Sequence, residues 1–137
     1  MRWRAMGSAM ICALVPASAA TAVENWTIHD LGGSRKESIC VDAAIKAFEE
    51  FGNIYGLSRL AHGQWVVFAW GLSRDEHDAV ITCTSAGGAG ARGTLVIYSR
   101  AEQSVRIMAR GIVENFLAAN ATLQKEYIDR ALEENGL

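Results

Sequence analysis

Asp75, Glu76, His77 and Asp78 form the densest run of side chains able to ligate a metal or exchange a proton. Hard carboxylate oxygens with one imidazole suit a divalent cation. Consecutive residues in an extended or turn backbone point different ways, however, and no other group in the sequence completes a shell. Asp75, His77 and Asp78 are therefore weak metal candidates, set against a plain solvated hairpin tip. His29-Asp30 and His62 stand alone. Gly88-x-Gly90-x-x-Gly93 has a nucleotide-loop spelling, but the dinucleotide version follows a strand and opens a helix. Here the run leads into Thr94–Ser99, which reads as a strand. A kinase-type glycine loop does lie between strands, yet the chain is too short for that fold. No serine has the Gly-x-Ser-x-Gly setting, so no catalytic residue is assigned and no cofactor is expected. Asn25-Trp26-Thr27 and Asn120-Ala121-Thr122 fit the glycosylation spelling.

The cysteines carry more. Cys12 lies in an N-terminal stretch with Arg2 and Arg4 ahead of an apolar run, Met6–Val15. Ala17-Ser18-Ala19 and then Ala20-Thr21-Ala22 supply small-x-small cleavage sites. That order of parts is a secretory signal peptide. The run is short for a membrane anchor, and Cys12 sits inside it rather than after it, as a lipoprotein signal would need. Residues 1–22 are expected to be the signal and 23–137 a single domain, periplasmic or secreted. Cleavage removes two of the thirteen basic residues and none of the fifteen acidic ones, leaving eleven against fifteen and a net charge of −4. Such a surface offers no footprint for nucleic acid and nothing to hold an anionic membrane. Cys40 and Cys83 remain. In an oxidising compartment they most simply form one disulfide, and no Cys-x-x-Cys spacing supports a redox pair.

The positioning elements follow from pattern. Val23–Gly33 reads as an irregular lead holding Trp26 and Ile28. Ser34-x-x-Glu37 has capping-box spacing and opens a helix with Cys40, Ala43, Ala44, Ala47, Phe48 and Phe51 on one stripe, stopped at Gly52-Asn53. After a connector, Trp65–Trp70 reads as a strand apolar on both faces: Trp65, Val67 and Ala69 on one, Val66, Phe68 and Trp70 on the other. Ala79–Thr84 alternates, with Ala79, Ile81 and Cys83 toward the core, since Cys83 must meet a helix stripe. Thr94–Ser99 is a third strand. Ser99-x-x-Glu102 opens a long C-terminal helix, with Gly111 and Asn120–Thr122 as places to bend. The expected fold is α+β: a three-stranded antiparallel meander with an N-terminal and a long C-terminal helix on one face, α-β-β-β-α.

Two helices on one face leave the other open. That face takes three large apolar residues drawn from Trp65, Val66, Val67, Phe68 and Trp70, with Val80 and either Val96 or Tyr98. An open apolar area of that extent marks a docking face for a second copy or an envelope protein, unless the N-terminal lead or a bent last helix covers it.

The signal, Cys40 in its Ala-rich helix, the Trp/Val-rich strand and Cys83 ending the next strand together resemble small exported bacterial proteins of unknown function. The resemblance implies a helix, a short antiparallel sheet, a closing helix and one disulfide, and it carries no activity. The expected function is a non-enzymatic interaction module. The alternative is a small metal-dependent enzyme or metal-binding protein using the Asp75–Asp78 tip.

Overall fold

A computed structural model describes residues 25–75, 77–99 and 102–136; the signal expected at 1–22 lies outside them. The element order is β1 (Asn25–Ser34), α1 (Glu37–Tyr55), β2 (Arg59–His62), β3 (Val66–Gly71), the single turn α2 (Leu72–Asp75), β4 (His77–Ser85), β5 (Ala91–Ser99) and α3 (Glu102–Glu134). The fold is α+β, but the sheet has five strands rather than three, in the order β1-β5-β4-β3-β2 and antiparallel throughout. The two extra strands are the edges, and each hid for a physical reason. In β1 the alternation is inverted: Trp26 and Ile28 face outward while Thr27 and His29 face the helices, so it does not read as a core strand. β2 is only four residues long and lies within the connector after α1. The described residues thus start with a strand, and α1 carries the chain from one edge of the sheet to the other.

The helical layer packs on the inward residues of the sheet, which include Val67, Ala69, Ile81, Leu95 and Ile97. In α1 the small residues Ala43, Ala44 and Ala47 are fully buried, which lets the helix lie close to the strands. Cys40 and Cys83 are joined, with Cα atoms 5.9 Å apart and both side chains buried. This agrees with the stripe on which each was placed.

The first capping box gives way to sheet pairing. Ser34 ends β1, pairs with Ala91 and is buried, while α1 starts at Glu37 behind an extended Lys36 that makes no side-chain cap. Ser99 ends β5, paired with Asn25 and His77. The stop of α1 also shifts, from Gly52 to Gly56, whose φ of 100° suits only glycine. Gly52 instead admits Leu57, whose Cβ would lie 2.5 Å from a Cβ placed there. Helix α3 runs unbroken. Asn120, expected to weaken it, is buried and ties it to β1: its Nδ2 donates to the Gly33 carbonyl at 3.1 Å and its Oδ1 accepts the Ser34 hydroxyl at 2.6 Å. At about 1.5 Å per residue α3 spans roughly 50 Å, longer than strands of about 30 Å.

Candidate functional site

Pairing between strands fixes which side chains share the open face. Across the sheet, Arg59 pairs with Trp70, Asp78 with Tyr98, and Tyr98 with Trp26. Continuing the β3–β4 register past Phe68↔Val80 sets Trp70 opposite Asp78. One row therefore reads Arg59, Trp70, Asp78, Tyr98, Trp26. The next reads Ala61, Phe68, Val80, Val96, Ile28. Beyond these the face turns polar, through Thr82, Thr94 and the exposed Asp30–Arg92 ion pair. The apolar part is thus a two-row band crossing every strand at one end of the sheet.

Within the band the rings pair off. Phe68 stacks with Trp70 at 5.5 Å, and Trp26 tilts against Tyr98 at 4.8 Å between centroids. Between these two aromatic walls runs a cleft of about 360 Å³ floored by Val80 and Val96. The Arg59 guanidinium lies 4.5 Å over the Trp70 ring. Asp78 Oδ1 accepts the Gly71 N–H at 3.0 Å. Trp26 is 61% exposed, Ile28 72% and Phe68 40%.

The expected docking residues divide accordingly. Val66, Phe68, Trp70 and Val80 lie on this face, whereas Val67 points into the core and is fully buried. Strand alternation requires that split. Trp65 precedes β3 and is exposed, its carbonyl accepting the Cys83 N–H at 2.8 Å. Val96 and Tyr98, offered as alternatives, are both on the face, being two residues apart in one strand. Trp26, Ile28 and Arg59 were missed. The Trp26-x-Ile28 spacing was the available signal for the first two. The lead that was a possible cover instead widens the open area, and α3 stays on the helical side.

The Asp75–Asp78 run does not assemble. His77 opens β4 with its ring buried (2% exposed), Nε2 lying 3.3 Å from the Ser104 hydroxyl. Asp78, next in the strand, points to the opposite face. Glu76 and the Asp75 side chain lie outside the described residues. Among the described residues no three His, Cys, Asp or Glu side chains gather closely enough to hold a metal ion. A second pocket of about 160 Å³ beside His77 and Ser104 is walled mainly by Phe51, Tyr55, Ile107 and Met108. Asp30 is committed to Arg92, and His62 is exposed at the β2 edge. Two of the three glycines in the nucleotide-loop spelling have a packing origin, and a Cβ at Gly88 would meet nothing. A Cβ at Gly90 would overlap the Ser34 carbonyl, and one at Gly93 would press on Leu31, Phe116 and Cys40.

The geometry defines a two-layer α+β domain with a helix-covered face and an open aromatic one. No family model, curated protein or solved structure matches the chain.

Proposed function

We propose that the chain is an exported, non-enzymatic binding module that works outside the cytoplasm and engages its target through the open face of the sheet. The carrying observation is the continuous aromatic and aliphatic band from β2 to β1, with Trp26, Ile28 and Phe68 exposed on it. An unoccupied protein seldom leaves such an area open to water. The buried Cys40–Cys83 bond supports residence in an oxidising compartment. No helix among the described residues is long and apolar enough to cross a membrane. A metal-dependent enzyme at the Asp75–Asp78 tip gains no support, because His77 and Asp78 face opposite layers.

The test uses residues 23–137, the domain left after the expected cleavage. In acrylamide quenching, Trp26 and Trp70 are expected to lose accessibility as the face becomes occupied, by ligand or by self-association at rising concentration. Phe68→Lys, an exposed change, is expected to abolish that protection without lowering the melting temperature. If quenching stays independent of every addition and of concentration, the binding reading fails.

A further inference from the structure

The row Arg59, Trp70, Asp78, Tyr98, Trp26 sets a carboxylate between two aromatic rings on adjacent strands. Trp70 and Tyr98 stand two strand spacings apart, about 9.5 Å, which leaves room for one rod-shaped or flat organic group between them. Val80 and Val96 supply an apolar floor one row away, and the volume of about 360 Å³ is that of a small-ligand site rather than a macromolecular groove.

The charge requirement comes from the same row. Aromatic faces present negative potential and attract cations. Among the described residues Asp78 is the only charged side chain lining the cleft. Its Oδ1 is held by the Gly71 N–H, and its Oδ2 has no partner among the described residues. A neutral apolar occupant would strip water from that carboxylate without replacing its interactions, and an anion would be repelled. The Arg59 guanidinium over Trp70 shows that this ring already holds a cation on one side. Arg59 does not line the cleft, and Asp30 and Arg92 neutralise each other further along the face. The net negative charge of residues 23–137 favours approach of cations from solution.

We propose that the cleft binds a small organic cation: an ammonium head beside Asp78, between Trp70 and Tyr98, on an aromatic or aliphatic stem lying over Val80 and Val96. The inference rests on the open face being a binding surface, and it names the chemistry that surface takes.

Benzylammonium, benzyl alcohol and benzoate at pH 7 share a ring and differ in charge, and binding is read from the methyl NMR shifts of Val80 and Val96. Benzylammonium should bind about tenfold tighter than benzyl alcohol, and benzoate more weakly than either. Asp78→Asn keeps an oxygen to accept the Gly71 N–H, so the fold is retained. It should bring benzylammonium within about twofold of benzyl alcohol, consistent with the loss of one charge contact. Tyr98→Ala should weaken both. Equal affinity of the wild type for the charged and neutral probes, or a tenfold preference left undiminished by Asp78→Asn, overturns the cation site. If no probe binds while the chain forms a dimer that Phe68→Lys dissociates, the cation site is wrong and the open face still docks a second copy. If no probe binds and the chain stays monomeric with its tryptophans unprotected, both proposals fall.

Discussion

Cys40 and Cys83 show how much one covalent contact fixes. Their separation of 43 residues makes the closed loop long, and loop-closure entropy puts its stabilisation at about 4 kcal/mol. A domain of this size has a net stability of only about 5–15 kcal/mol. Replacing both cysteines with alanine is therefore expected to lower the unfolding free energy by roughly 3–4 kcal/mol, read as a lower urea midpoint. Gly93 is the second such residue. A Cβ there would sit 3.1 Å from Leu31 Cβ, 3.2 Å from Phe116 Cζ and 3.4 Å from Cys40 Sγ. Alanine would gain about 0.5–1 kcal/mol from a stiffer unfolded chain. Overpacking in a dense core costs about 1–3 kcal/mol, so crowding wins. Gly93→Ala should be destabilised by about 1 kcal/mol on balance.

Among the elements, the first strand is the one whose attachment decides the open face. It adds Trp26 and Ile28 to the band, and a register shift between Asp30 and Gly32 turns Leu31 into the core. Two polar devices hold it. The Arg92 guanidinium is hydrogen-bonded to Asp30 across the β1–β5 pair, and this bond first, then the Gly32 N–H, lowers the Asp30 carboxyl from the ordinary range. A carboxyl with a depressed folded value adds stability above the ordinary carboxylate range and loses it as pH falls through the depressed value. Wild type and Asp30→Asn should thus differ in melting temperature near neutrality and converge in acid. Both groups are exposed, so added salt should shrink the gap as well. The other device is Asn120. Asn120→Ala would strand the buried Ser34 hydroxyl, with an expected loss of about 1–3 kcal/mol in chemical denaturation.

At the scale of the molecule, the helices share one side of the sheet, and stability and binding are assigned to different faces. Core residues such as Val67 and Ile81 alternate with Phe68 and Val80 on the same strands. Substitutions on the two faces should therefore behave oppositely. Val67→Lys is expected to prevent folding, because it buries an unpaired charge. Phe68→Lys, one residue on, should leave the folded signal by circular dichroism intact.

Local pattern settled the parts of this protein governed by short-range periodicity. While the disulfide follows from cysteine count and compartment and in turn picks the core face of β4, the Cys40 stripe of α1 and the Ala79-Ile81-Cys83 alternation of β4 follow from helical and strand spacing. So do the α+β class and the helices sharing one layer. Edge strands, cap positions and the contents of the open face were decided by pairing between residues distant in the chain. Nothing local to Trp26-Thr27-Ile28 says that β5 lies alongside to make it a strand, and nothing local to Ser34 says that Ala91 and Asn120 compete with a helix for it. His77 and Asp78 look like one cluster in the sequence and are separated by the pleat of β4. Trp26 and Tyr98 lie far from Trp70 and Asp78 along the chain, and the four become one row only when hydrogen bonds set four strands in register, because a sheet brings together residues by pairing rather than by their order along the backbone.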